Sequence, residues 1–118
     1  MKESIIQQQI CEYLSLRGIF YYSIPNESLM MALIMFKVPE KIRYRIVNFF
    51  KKMGLVPGIP DLQLILNHGK TIYIEVKNEK GKLSENQKRI HKILKNKGFD
   101  VYVSKSTEDI KKILSYYE

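Results

Sequence analysis

Apolar residues recur along the chain in two rhythms, and the switches between them mark out the secondary structure. Ile6, Ile10, Tyr13 and Leu14 fall at helical spacing across the first sixteen residues, and Arg17-Gly18 breaks the run. Ile19 to Ile24 is β-branched and aromatic, reads as a strand, and ends at Pro25-Asn26. Leu62 to Leu66 and Thr71 to Lys77 are two further strand-like runs, with the polar Asn67-His68-Gly69-Lys70 between them reading as a hairpin turn. Ser84 and Gln87 have capping-box spacing ahead of a helix that keeps Gln87, Ile90, His91 and Leu94 on one face and stops at Gly98. Phe99 to Val103 is a last strand, and Ser106 or Thr107 opens a final helix through Ile110, Ile113, Leu114 and Tyr117.

The pattern is interrupted between the first two strands by a helical insert over about residues 28–53. Leu29 to Phe36 is more apolar all round than a half-exposed helix should be, which predicts either a plug for the core or a partner surface. Val38-Pro39 is a break, and Pro39 suits the first turn of a second helix from Glu40 to Met53, ended by Gly54. That helix is basic on one side, through Lys41, Arg43, Arg45, Lys51 and Lys52, and apolar on the other. The order α-β-(insert)-β-β-α-β-α predicts a single α/β domain over residues 1–118, built around a mixed sheet with an extra C-terminal helix.

Charge narrows the choice of partner. A formal net charge of +8, spread over both halves of the 118 residues, makes nucleic acid the first partner to consider, although a ribosomal-type or membrane-surface protein would share it. Lone Cys11 cannot form an internal disulfide, and no Cys/His cluster has zinc spacing. The polar Gln7-Gln8-Gln9 does not resemble a leader, and the longest apolar run falls well short of the roughly 20 residues that span a bilayer. The expectation is a soluble intracellular protein with no membrane partner.

The chemistry concentrates in Gly58-Ile59-Pro60-Asp61 and, fourteen residues beyond Asp61, Glu75-Val76-Lys77. Alternation along the third strand puts Ile72, Ile74 and Val76 on one face and Tyr73, Glu75 and Lys77 on the other. The hairpin then brings Asp61 near Glu75. Two adjacent carboxylates repel unless a cation separates them, and a hard, oxygen-liganded ion such as Mg²⁺ or Mn²⁺ would also polarise a phosphate. Lys77 would orient the attacking water or stabilise developing negative charge. An isolated Glu-x-Lys is equally at home on any surface hairpin, and only the conjunction of the pieces carries this reading.

These residues resemble the PD-(D/E)xK nuclease superfamily and, more narrowly, the VRR-NUC family. Lys51 to Leu62 is similar to that family's approach to its catalytic strand, and the likeness continues through Gly81-Lys82-Leu83-Ser84, Gln87, Gly98-Phe99 and Val101. The resemblance implies a restriction-endonuclease-like α-β-β-β-α-β core. It further implies a Mg²⁺- or Mn²⁺-dependent DNA endonuclease with Asp61, Glu75 and the Val76 carbonyl on the metal and Lys77 as catalytic lysine. The family places a first-helix Glu at the site, for which Glu3 is the candidate; the alternative is a first-turn Glu complementing the helix dipole. Gln87 would line the site, or else fold back locally in its capping box.

Among the remaining polar residues, Asn26 reads as a turn residue, and His68 and His91 read as structural or exposed, away from the trio. Gly58 supplies backbone freedom or lets a phosphate approach closely. Lys80 and Lys82 would meet phosphates flanking the scissile bond, while Arg43, Arg45, Lys51 and Lys52 would grip a DNA arm; each could instead be a solvated face. No segment resembles a base-reading helix, so branched, junction or flap DNA is a more natural substrate than a defined sequence. Small stand-alone members of the family are typically homodimers, which implies a twofold dimer using the insert, and so compact a nuclease would suit a phage or mobile element. Two other classes of function stay open: a non-catalytic nucleic-acid-binding module on the same fold, and a basic partner-binding scaffold.

Overall fold

Strands β1 (Phe20–Ser23), β2 (Leu62–Ile65), β3 (Thr71–Val76) and β4 (Asp100–Ser104) form one sheet in that spatial order in the computed structural model, which describes residues Met1–Glu118. The first two pairings are antiparallel and β3–β4 is parallel, giving the mixed sheet the sequence predicts. The hairpin between β2 and β3 closes through a short 3-10 turn, Asn67–Gly69, in which His68 takes a left-handed φ of 61°.

Helices α1 (Glu3–Leu16) and α5 (Thr107–Ser115) cover one face of the sheet, and α4 (Glu85–Asn96) covers the other. The first layer is closed by Ile6, Ile10 and Leu14 of α1 and Ile110, Ile113 and Leu114 of α5, packed on Leu62, Leu64, Ile72, Ile74 and Val76. Each fully buried aliphatic side chain contributes about 1.5–3 kcal/mol, so this layer dominates stability. The second layer is smaller, with Ile90 and Leu94 on Val101, flanked by Ile59 and Tyr73. Fewer apolar residues are needed there because the same face of β3 carries Glu75.

The insert is two helices, α2 (Glu27–Met35) and α3 (Glu40–Lys52), so it begins one residue earlier than the expected 28. Neither helix buries a single residue. The two pack mainly on each other and lengthen the molecule to 47 × 31 × 26 Å, with a radius of gyration of 14.9 Å, against about 13.5 Å for a compact chain of this length. Of the two expectations for Leu29 to Phe36, the core plug is therefore excluded. No helix is long and apolar enough to cross a membrane.

Candidate active site

Asp61 immediately precedes β2, and the pairing of Leu62 with Ile74 sets it across from Glu75. Its Oδ2 accepts the Val76 amide at 2.8 Å, and its carbonyl accepts the Ile24 amide at 2.9 Å. The residue is thus held from both neighbouring strands. Glu75 is 0% exposed and Lys77 7% exposed. Lys77 lies one position past β3, yet its N–H still bonds the Ser104 carbonyl at 3.0 Å and extends the parallel ladder.

The register sets the Asp61 and Glu75 carboxyls opposite each other, and each acts on the other's titration. Burial, reinforced by the Glu75 carboxyl, pushes Asp61 up to about 8. Burial likewise pushes Glu75 up to about 7, with Asp61 and Lys77 pulling it back. Two carboxyls held this close in a partly enclosed site favour protons or a cation, and their hard oxygen donors suit Mg²⁺ or Mn²⁺. No third Asp, Glu, His or Cys completes a protein-only cage.

Gln87 closes the capping box and also reaches Glu75. Its Oε1 accepts the Ser84 amide at 2.9 Å and its own amide donates to Ser84 Oγ at 3.1 Å, closing the capping box. The same side chain's Nε2 donates to Glu27 Oε1 at 2.6 Å and to Glu75 Oε2 at 3.3 Å. Gln87 is buried, so the polar residue on this apolar stripe is fully accounted for.

Glu3 stands at the rim of a cleft of about 200 Å³ that it shares with Glu27, Asp61, Val76, Met31 and Met35. Its Oε2 also accepts the Asn78 amide at 3.4 Å, tying α1 to the loop after β3. Gly81 in that loop is wedged against the site: a Cβ would lie 2.9 Å from Glu3 Oε2 and 3.2 Å from Lys77 Cδ. A larger hollow of about 580 Å³ opens at the other end of the sheet, lined by Arg17, His68, Lys70 and Tyr117, and holds none of the acids.

One placement differs from the sequence reading, and two others gain a partner the sequence did not show. His91, expected away from the trio, is buried with Nε2 3.0 Å from Glu75 Oε1. It sits one helical turn beyond Gln87, and that i, i+4 spacing is the signal that would have found it. Gly58 supplies the backbone freedom the sequence suggests, with φ at +93°, and it is buried against α4, where a Cβ would meet the Asn86 carbonyl at 2.6 Å. Arg43 is half-buried and donates to the Val38 carbonyl at 2.8 Å, at the turn between α2 and α3. Arg45, Lys51 and Lys52 are exposed on α3, and Lys80 and Lys82 on the loop after Lys77. Asn26 donates to the Val56 carbonyl at 3.3 Å, joining the two ends of the insert.

Glu27 went unread in the sequence because only the folding of the insert delivers it. Partial burial raises its carboxyl above the usual range; Lys77 opposes this, and Asp61 and Glu3 add to it.

The sheet order, the flanking helices and the Asp61–Glu75–Lys77 arrangement define a nuclease fold of the PD-(D/E)xK group. The VRR-NUC domain family model matches residues 1–108, and the chain belongs to that family. A solved structure described as a VRR_NUC domain superposes with a TM-score of 0.65 at 23% identity, covering 98% of this chain and 97% of that one. Another, a VRR_NUC domain protein, gives a TM-score of 0.51 at 16% identity over 80% of this chain and 88% of its own. A search of curated proteins returned no significant match.

Proposed function

We propose that this chain is a Mg²⁺- or Mn²⁺-dependent endodeoxyribonuclease that hydrolyses phosphodiester bonds in branched, junction or flap DNA. The observation that carries the reading is the Asp61–Glu75 pair: a half-buried and a fully buried carboxyl held together beside a buried lysine, an arrangement costly to maintain unless it serves a cation. A divalent ion bound there would polarise the scissile phosphate and lower the pKa of a bound water. Asp61 and Glu75 hold their oxygens toward that position, and Lys77 presents its ammonium to the charge that develops on the phosphate. Lys80 and Lys82 follow directly and meet the flanking phosphates, while Arg45, Lys51 and Lys52 hold a more distant arm.

The active species in this reading is a twofold dimer. Met31, Ile34, Met35 and Phe36 of the α2 end, with Ile42, Phe49 and Phe50 of α3, are all exposed. An apolar surface of that extent is unusual on a monomer and fits a self-complementary interface. Two sites related by a twofold axis suit branched DNA.

The deciding experiment incubates the protein with four-way junction, flap and linear duplex DNA in Mg²⁺, Mn²⁺ or EDTA. Cleavage of the branched substrates in metal, lost in Asp61→Ala with DNA binding retained, is the expected result. Binding without cleavage in any metal would leave a binding module and sink the enzymatic reading.

A further inference from the structure

Glu75 is the most enclosed acid of the site, and both of its oxygens are engaged from one helix. Gln87 donates to Oε2 at 3.3 Å, and His91, one turn further along α4, faces Oε1 at 3.0 Å. The side chains of His91 and Glu75 are only 6% and 1% exposed, so no water competes freely for this contact. Ile90 and Leu94, which bracket His91 on the helix, are fixed against Val101 and the second core layer. The imidazole therefore has little freedom to leave, and an apolar side chain in its place would abandon a buried carboxylate oxygen.

Resting on the nuclease reading above, we propose that His91 is a positioning residue for the metal centre, its Nε2–H fixing the rotamer of Glu75 so that the carboxylate faces Asp61. His91 touches neither substrate nor metal in this role. Its effect passes through Glu75, as outer-shell partners of metal ligands commonly act, with losses of about 10–100-fold on their removal. The two ring nitrogens are distinct, and the partner each one meets decides where a single N–H sits. Glu75 is the acceptor that directs that hydrogen to Nε2.

The test compares wild type with His91→Leu, which fills the space without a donor, and His91→Gln, whose Nε2 reaches the place of the imidazole Nε2. Mn²⁺ affinity is read by electron paramagnetic resonance on the intact chain, together with kcat and KM on flap DNA. Folding is checked by circular dichroism, and the His91 tautomer by long-range ¹H–¹⁵N spectra of wild type. The expected result is an Nε2–H tautomer, a loss of Mn²⁺ affinity in His91→Leu of about 10-fold or more with kcat falling and KM for DNA unchanged, and recovery to within about 3-fold in His91→Gln. If His91→Leu unfolds, His91→Asn, whose amide is too short to reach Glu75, replaces it in the comparison. Wild-type Mn²⁺ affinity in a folded donorless variant, while Asp61→Ala has lost it, would overturn the positioning role and leave the nuclease reading intact. Absence of saturable Mn²⁺ binding in wild type would overturn both.

Discussion

Asp61 Oδ2 accepts the backbone amide of Val76 at 2.8 Å, so the acid that precedes β2 is fastened to the strand end that carries Glu75 and Lys77. Fold and site are coupled through that one bond. Asp61→Asn can keep an oxygen for the Val76 amide while removing the charge, and in EDTA it should raise stability by about 1–2 kcal/mol in urea denaturation. Its cleavage rate should fall by more than the ~10–100-fold typical of an outer-shell change.

The pH response follows from the same pair. Asp61 rises from 3.8 to about 8 and Glu75 from 4.5 to about 7, so the folded chain retains protons that the unfolded chain releases near pH 4. Stability from these groups is complete below about pH 4 and is lost as pH climbs through 7 to 8. Melting temperature in EDTA should fall between pH 5 and 8.5. Saturating Mn²⁺ should remove most of that fall by binding the deprotonated pair. Cleavage should rise over the same interval.

Two glycines should behave oppositely. Gly58→Ala meets backbone atoms at 2.6 Å with φ at +93°, and should cost about 2–4 kcal/mol in urea denaturation. Gly81→Ala meets mostly side-chain ends, with Glu3 Oε2 at 2.9 Å, and should cost less than about 1 kcal/mol while reducing kcat through displacement of Glu3 and Lys77.

Much of this was legible in the chain. Ile72, Ile74 and Val76 alternate with Tyr73, Glu75 and Lys77 because one face of β3 meets α1 and α5 and the other meets α4, and period two records that directly. The apolar stripe Ile6, Ile10 and Leu14 was equally plain. What sequence order could not convey was the meeting of distant segments. Glu27 comes to Gln87 across 60 positions, through an insert whose packing has no periodic signature. The need for a glycine at 58 is legible as backbone freedom, but the backbone of Asn86 packed against it leaves no trace in side-chain pattern. His91 was hidden differently: its stripe was read, but a polar residue on it was credited to structure alone.

DNA binding should show its geometry in salt dependence. Replacing Lys51 and Lys52, both exposed on α3, with Ala should weaken flap binding and lower the slope of log K against log salt by roughly 1–2. Arg43→Ala should act instead on stability, since its guanidinium holds the Val38 carbonyl.

Light scattering should report a species of twice the 14.0 kDa chain mass at micromolar concentration. Phe49→Glu, in the middle of the exposed apolar side of α3, should yield a folded monomer. A wild-type protein that runs only as a monomer would remove the twofold arrangement.

Helix-start rules accept glutamate at position 87 as readily as glutamine, and the positive end of α4 would favour the acid. The cleft reverses that preference. Exchanging one NH₂ for oxygen would set a carboxylate against those of Glu27 and Glu75, leaving the helix start intact but its surroundings intolerable without an added proton or cation. The choice between two nearly isosteric side chains at this position is thus made by residues 12 and 60 positions away rather than by the helix that contains it.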